Sequence, residues 1–239
     1  MKNQYFGDIN DYNKYGLLRS IESASDLRLL VAWMLTPDDG STDGEFIEYL
    51  GEPRKWREYD YSLYEGLVQL MGGSSDRSVS LIEESRILIG CSFFSEYVPD
   101  QKTRREAWFS SLLKASESRD LVFLDPDNGL EIKSRPYGRK YSSKFLYWRE
   151  VSDLWASGKS LLIYQHFIRE KREVFIHRML KSLYEFAEGS VVEAFSTSHV
   201  VFLMALQPEH KHFRDPIIEK INGAWEGQIK HWGLRAPNN

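Results

Sequence analysis

A turn of polar and turn-forming residues, Asp125-Pro126-Asp127-Asn128, directly follows the apolar run 121–124. An apolar run bounded in this way predicts a strand that is buried on both faces. Ligands of open α/β sheets bind beyond the carboxyl ends of the strands, so these side chains are expected to face a cleft. Asp125 and Asn128 could accept hydrogen bonds from an amine and orient it for reaction. A solvated turn that merely ends the strand is the alternative.

Two further apolar runs end in polar residues. Residues 159–167 predict a strand whose end carries His166, a candidate general base or substrate contact. Residues 27–35 predict a strand followed by an acidic, glycine-containing loop with Asp39, Gly40 and Asp43. A lone histidine is more often structural, and an acidic loop is often only solvated.

The order of the elements predicts a single α/β domain over residues 1–239, with 208–239 as a C-terminal extension. Further strands are predicted at 87–94, 191–195 and 200–206, and a short one at 56–60; helices are predicted at 12–24 with Asp11 as N-cap, and at 63–71, 103–115, 145–156, 169–187 and 215–230. The short gap between the strands at 191–195 and 200–206 predicts an antiparallel hairpin. We therefore expect a mostly parallel sheet with one reversed strand at its end.

Composition narrows the function classes. The chain has 239 residues, a formal net charge of −4 and one cysteine, Cys91. One cysteine excludes an internal disulfide and cysteine-rich zinc motifs, and no metal site is expected. No apolar run approaches the ~20 residues of a membrane span. We expect a soluble, cytoplasmic protein without membrane contact; the oligomeric state is left open.

The predicted sheet, closed by a hairpin, resembles the class I S-adenosylmethionine-dependent methyltransferases. Amino-methylating members carry an Asp/Asn-Pro-Pro-aromatic tetrad after the fourth strand, and Asp125-Pro126-Asp127-Asn128 stands in that place. Residues 7–15, with Lys14, resemble the lysine-bearing helix of the large-subunit ribosomal RNA adenine-N6 methyltransferase J and three-Cys-motif partner families. The second proline and the aromatic residue of the tetrad are absent, as is a Gly-x-Gly pattern in the first loop.

The resemblance implies a Rossmann-like methyltransferase sheet, S-adenosylmethionine as cofactor and an amino group of an RNA or DNA base as substrate. It implies catalytic roles for Asp125, Pro126, Asp127 and Asn128, and His166 at the end of the neighbouring strand is a further catalytic candidate. Lys14 would pair with the donor's carboxylate, Asp39 and Asp43 would face its amino acid part with the Gly40 backbone close by, and Asp60 would bind its ribose.

Basic residues interleaved with tyrosines offer a nucleic-acid surface despite the negative net charge. They lie in the loop 133–144 and at the start of the helix at 169–187; the candidates are Arg135, Tyr137, Arg139, Lys140, Arg169 and Arg172. Lysine and arginine could follow phosphates while a tyrosine stacks on a base. Such charge runs are also common on solvated faces.

Two other classes remain open. Pro126-Asp127 followed by Glu131 and Lys133 imitates the Pro-Asp…Glu-x-Lys site of a metal-dependent nuclease, although the spacing is short. A catalytically inactive Rossmann-like binding module would explain the missing glycine pattern. Magnesium dependence would favour the nuclease, and stabilisation by S-adenosylmethionine would favour the methyltransferase. The methyltransferase hypothesis predicts that Asp125→Ala abolishes transfer and leaves the fold intact.

Overall fold

The computed structural model describes residues 1–40, 44–73 and 76–234. Within these ranges seven strands form one mixed sheet of an α/β fold, in the order β2-β1-β3-β4-β6-β5-β7. The strands are β1 Leu29–Ala32, β2 Cys91–Phe94, β3 Leu121–Leu124, β4 Ser160–His166, β5 Val191–Ser196, β6 Val200–Leu206 and β7 Lys230–Gly233. The apolar runs of the sequence therefore become strands as predicted.

The described helices alternate with the strands. They are α1 Ile9–Ala24, α2 Pro53–Trp56, α3 Tyr61–Gly73, α4 Ser80–Glu84, α5 Lys102–Ser116, α6 Trp148–Ala156, α7 Arg172–Phe186 and α8 Arg214–Ala224. Short 3-10 turns occur at Asn3–Tyr5, Glu48–Gly51, Ser142–Lys144 and Pro208–Phe213. The longer predicted helices are all present, with shifted ends; the one predicted at 215–230 ends at Ala224.

Strand directions give the sheet two halves. β2, β1, β3 and β4 are parallel neighbours, and β6 is antiparallel to both β4 and β5. The predicted hairpin is confirmed, and β5 consequently runs in the direction of the first four strands. A second reversed strand, β7, pairs with β5 at the edge. We predicted one reversed strand, because the polar segment Lys230–Gly233 carries no apolar strand pattern.

Alternate residues of the central strands pack against two different helical layers. Leu29, Val31, Leu121 and Phe123 belong to the core on the side of α1, α3 and α8. Leu30, Ala32, Val122 and Leu124 belong to the core on the side of α5, α6 and α7. Because both faces are covered, these strands are apolar throughout, as parallel strands usually are.

The predicted strand at 56–60 is wrong. Pro53 at the first helical position favours a helix start, and Pro53–Trp56 forms the short helix α2. Asp60 then accepts a hydrogen bond from the Leu63 amide at 3.0 Å and caps α3. A strand-end position for Asp60 is thereby excluded.

The predicted N-cap of α1 is also wrong. Asp8 holds that position and accepts a hydrogen bond from the Asp11 amide at 2.9 Å, so the helix begins earlier than predicted. Asp11 lies in the first turn, where its carboxylate is free to face the sheet edge.

The C-terminal extension packs on the rest of the chain. Trp225, at the end of α8, is buried against α1 at Gly16. No described helix has the length and apolarity needed to cross a membrane.

Candidate functional site

The first turn of α1 carries a buried charge network. Lys14 Nζ lies 2.6 Å from Asp11 Oδ1 and 2.7 Å from Asp125 Oδ2, and all three side chains are almost fully buried. The Tyr15 hydroxyl and the Gly7 amide donate to Asp11 Oδ2 at 2.9 and 3.0 Å. The network ties the start of α1 to the carboxyl end of β3.

Burial and pairing set the charges of this network. Burial alone would lower the pKa of Lys14, but Asp11 and Asp125 hold it above its ordinary value, so the ammonium keeps its charge. Burial raises the pKa of Asp125 against the opposing effect of Lys14. Burial and the neighbouring Asp11 carboxylate raise the pKa of Asp8 to about 7.

The tips of β3 and β4 lie side by side. Leu130 donates its amide to Gln165 Oε1 at 2.7 Å, and His166 Nε2 lies 3.2 Å from the Asp127 carbonyl oxygen. Gly129 has φ of +88°, and a Cβ there would meet the Gln165 side chain at 2.5 Å. A side chain at position 129 would therefore clash with Gln165, and the turn packs closely against β4.

A cavity of about 540 Å³ opens at this edge. Its lining contains every residue predicted as catalytic, Asp125, Pro126, Asp127, Asn128 and His166, together with Lys14 of α1. Tyr5, Asp8, Asn10, Phe46, Tyr164 and Phe167 complete most of the remaining wall. The structure thus brings the β3 tip, the β4 tip and α1 to one hollow.

Asp127 supplies acceptor atoms without donors. The residue is 5% exposed, and neither carboxylate oxygen receives a hydrogen bond from a described residue. The ammonium groups of Lys144 and Lys2 lie 3.2 and 3.9 Å from Oδ2, so the charge is compensated but the lone pairs are not satisfied. An acceptor of this kind is costly to leave unbonded, so a hydrogen-bond donor placed beside it would stabilise it.

Asn10 adds a second such acceptor to the same wall. Its Oδ1 atom is buried and accepts no hydrogen bond within the described part of the chain. Its amide nitrogen donates to Asp8 Oδ2 at 3.4 Å, which turns the oxygen away from Asp8.

Asp125 and His166 differ from Asp127 in their surroundings. Asp125 already accepts from Lys14 and is therefore a positioning residue for the lysine. His166 is exposed at the rim of the cavity, and desolvation of its ring by the wall lowers its pKa below the ordinary value. A neutral imidazole at the rim can accept a proton or a hydrogen bond.

The predicted cofactor residues are not all brought together. Lys14 lines the cavity, but its ammonium group already forms ion pairs with Asp11 and Asp125. Asp39 accepts a hydrogen bond at 2.5 Å from the Lys2 ammonium group, which also lies near Asp127. Asp39 does not line the cavity. Gly40 has φ of +68°, and a Cβ at this position would meet no other atom within 4 Å. Asp43 lies outside the described residues.

Asp60 is separated from this site. Its carboxylate pairs with Arg19 Nε at 2.6 Å, five residues further along α1 than Lys14, and lines a different cavity of about 570 Å³. A ribose-binding role in the main cavity is therefore wrong for Asp60, because the segment before it is helix rather than strand.

The predicted nucleic-acid residues form two exposed groups. Arg135, Arg139 and Lys140 are exposed in the loop after β3, and Arg169 and Arg172 are exposed at the start of α7. Lys140 Nζ and the Arg135 guanidinium lie 4.8 and 5.4 Å from the Tyr141 ring centroid.

Tyr137 is poorly suited to stacking on a base. Its ring is half-buried, with the Tyr147 ring at 5.0 Å and the Arg149 guanidinium at 4.2 Å. Tyr141 is 45% exposed and is the better stacking residue of the loop.

The nuclease constellation is not assembled. Asp127 lines the cavity, whereas Glu131 does not, because the Glu131 backbone bonds to Leu146 and its carboxyl lies near Glu150. Across the described ranges, no group of three or more His, Cys, Asp or Glu side chains is arranged to hold a metal ion.

Sequence reasoning missed Asp8, Asp11 and Asn10 as site residues. The spacing Asp8, Asp11, Lys14 carried a usable signal, because residues three apart share one helix face. Phe46, Lys2 and Lys144 gave no such signal, since each reaches the site through a loop.

Comparison with known proteins gives little further information. No family model and no curated protein matches the chain. Among solved structures, the chain is similar to a crystal structure of a Legionella pneumophila (strain Philadelphia 1) protein described by the family model DUF519. That likeness has 12% sequence identity and a TM-score of 0.46, and covers 95% of this chain and 96% of the other.

Proposed function

We propose that the protein is an S-adenosylmethionine-dependent methyltransferase that acts on an amino group of a nucleic-acid base. The observation that carries the proposal is the buried Asp127 carboxylate, which follows Pro126 at the β3 tip in the lining of the cavity and accepts no hydrogen bond from a described residue. An exocyclic amine carries the N–H groups that this carboxylate lacks. The mixed sheet, with its parallel strands β2, β1, β3 and β4 and its antiparallel β5–β6 hairpin, supports the Rossmann-like methyltransferase fold that we propose.

In this proposal Asp127 and Asn10 hold the amine. Each would accept one N–H, so the amine nitrogen is fixed with its lone pair directed toward the electrophile. Positioning of this kind can lower a barrier by several kcal/mol without proton transfer, roughly 7–11 at the upper end. The neutral His166 at the rim would receive the proton that the amine releases.

The wall of the cavity also fits a cationic donor. Asp8, Asp11, Asp125 and Asp127 line it, against Lys14 as the lysine of the lining. When bound, S-adenosylmethionine supplies an electrophilic methyl group on a sulfonium centre, whose positive charge a carboxylate at close range would stabilise. The volume lies within the range of small-molecule sites, about 300–1,000 Å³.

Lys14 takes a different role from the one the sequence predicted. Since Asp11 and Asp125 already bond its ammonium group, Lys14 keeps two buried carboxylates compensated and fixes the floor of the cavity. A donor carboxylate would have to displace one of them.

Calorimetric titration of the full chain with S-adenosylmethionine tests donor binding. Transfer of a labelled methyl group to total RNA and to denatured DNA tests the activity. We expect Asp127→Asn to lower transfer at least tenfold, because an amide presents one acceptor atom and no charge. Asp153→Asn, at an exposed position of α6, is the matched control and should act like wild type.

Absence of heat with the donor and absence of transfer would overturn the proposal. In that case a catalytically inactive binding module would be favoured, and the full pairing of Lys14 agrees with that alternative. Binding of the donor without transfer to either nucleic acid would refute the substrate class alone.

A further inference from the structure

Another cavity, distinct from the one at Asp60, lies at the same edge of the sheet as the candidate site. We call the candidate site the first cavity and this one the second cavity. It has a volume of about 870 Å³ and is bounded by the β5–β6 turn and the segment that leads into β7. β5 runs parallel to β4, so its last residue, Ser196, lies at the edge that carries His166. Ser196 pairs with Lys230, which brings the start of β7 to that edge too.

Cationic side chains line this second cavity. Arg172 and Lys230 are exposed, and neither forms an ion pair with any described acidic residue. His231 is engaged by the buried Glu193, whose Oε2 lies 2.7 Å from its Nε2. Glu226 is the acidic residue of the lining, so the positive charges of Arg172 and Lys230 outnumber it.

The two cavities share a wall. Arg172 donates a hydrogen bond to the Ser198 carbonyl oxygen in the β5–β6 turn, and its guanidinium lies 5.0 Å from the Phe167 ring centroid. Phe167 lines the first cavity and Ser198 lines the second. Arg172 therefore links the two.

An exposed aromatic pair covers the same wall. His199, in that turn, is stacked on Phe46 with ring centroids 6.3 Å apart and an interplanar angle of 16°. Phe46 lines the first cavity, and its side chain is 62% exposed. A flat, solvent-facing ring at this point is suited to stacking against a base.

We propose that the second cavity is a phosphate subsite for single-stranded nucleic acid, adjoining the first cavity through the Phe46–His199 surface. This inference rests on the nucleic-acid part of the proposed function. One base enters the first cavity, the next stacks on Phe46, and the phosphodiester between the following nucleotides meets Lys230 and Arg172. A target base must leave a duplex to enter such a cavity, so the occupant is a single strand.

Fluorescence anisotropy with a labelled 12-nucleotide single strand, measured over a series of salt concentrations, tests the subsite. Each phosphate contact on a single strand contributes about 0.7 to the slope of log K against log salt. We expect Lys230→Gln to weaken binding and reduce that slope by about 0.7. Lys211→Gln, an exposed lysine after β6 at the opposite edge, should leave both unchanged.

Phe46→Ala separates stacking from charge. Loss of one stacked base should weaken binding roughly 5- to 150-fold. The salt slope should stay at its wild-type value, since no charge is removed. Circular dichroism melting of both variants checks that the fold is retained, which the exposure of both side chains favours.

An unchanged salt slope in Lys230→Gln would overturn the subsite. Competition with inorganic phosphate gives a second test. If Lys230→Gln loses affinity for inorganic phosphate but keeps its affinity for the single strand, the subsite proposal is also overturned, because the site would then bind a free anion. Titration with S-adenosylmethionine distinguishes the two proposals: donor binding with an unchanged slope refutes the subsite alone, whereas a changed slope without donor binding refutes the methyltransferase alone.

Discussion

Lys14 and Asp125 are 111 residues apart in sequence, yet Lys14 Nζ lies 2.7 Å from Asp125 Oδ2 in the buried floor of the candidate site. The contact joins the first helix to the tip of β3. Asp125 therefore accepts a hydrogen bond within the fold, whereas Asp127 has lysine ammonium groups nearby but accepts no hydrogen bond from a described residue. The two carboxylates of the turn, two positions apart, therefore differ in their hydrogen bonding.

Removal of Lys14 should destabilise the protein. Lys14→Met would leave Asp11 and Asp125 buried without their cation, and loss of one partner of a buried pair costs about 3–5 kcal/mol. Urea unfolding should show the free energy of unfolding lowered by that order. Lys140→Met, at an exposed loop position, should change it by less than about 0.5 kcal/mol.

Asp125→Ala should also affect stability, because Asp125 is half of the same buried pair. That variant leaves Lys14 with Asp11 alone, so it should lose stability as well as any activity. The expectation of an intact fold is not supported by the buried pair. A stability of Lys14→Met equal to wild type would contradict both statements.

Asp8 should give the protein a distinctive pH dependence. Its ordinary pKa is 3.8, and in the folded state burial and Asp11 raise the pKa to about 7. Between these two values the folded state retains a proton that the unfolded state has released. The contribution of Asp8 to the free energy of unfolding therefore falls as pH rises from about 4 to 7.

Asp8→Asn should remove that contribution. Asparagine caps a helix as well as aspartate, so the hydrogen bond to the Asp11 amide is retained. Chemical denaturation at pH 4, 5, 6 and 7 should show the stability of the variant rising relative to wild type as pH increases. A constant difference between variant and wild type across these pH values would refute the assignment.

Gly16 sets how closely α8 approaches α1. A Cβ at Gly16 would lie 1.8 Å from the Trp225 ring, and Trp225 is fully enclosed. Gly16→Ala should therefore destabilise the protein by about 1–3 kcal/mol through overpacking, measured as a lowered urea midpoint.

Gly223 provides the matched control within α8. A Cβ there meets nothing within 4 Å, so Gly223→Ala should stabilise the protein by about 0.4–1 kcal/mol. If both alanine variants shift the midpoint in the same direction, the close approach of Trp225 does not set the packing of α8.

The sequence was most informative where physical constraint is local. The apolar run before Asp125 predicted both the strand and the site, because a strand covered on both faces must be apolar and must end in polar residues. Gly129 follows this turn and has φ of +88°, a local backbone conformation that favours glycine. Pro53 is also a local signal, because proline favours the first position of a helix. The strand prediction at 56–60 overlooked it, and Asp60 was therefore wrongly placed at a strand end.

Long-range convergence was not predictable in this way. Asp125 is paired with Lys14, and Asp127 lies beside the ammonium groups of Lys2 and Lys144. These partners come from separate parts of the chain with no shared spacing. The edge strand β7 was not predicted for a related reason. It is held by pairing with β5 and has no apolar pattern of its own.

Asp100 should control the order of the basic loop. Its two carboxylate oxygens accept from the Tyr141 and Ser143 amides at 2.8 and 2.7 Å. Partial burial would raise the pKa of Asp100, but these bonds bring it below its usual value, so the anion is the stable form. Asp100→Ala removes both acceptors, and Tyr141 then loses a contact that holds its φ of +69°.

We expect Asp100→Ala to speed amide hydrogen exchange at Tyr141 and Ser143, because both amides lose their acceptor. If the loop contacts phosphates, single-strand affinity should fall as well, since an unordered loop must be ordered on binding. Asp153→Ala on α6 should alter neither measurement. Unchanged exchange at both amides in Asp100→Ala would show that other contacts hold the loop, because Asp100 is the acceptor that the two amides share.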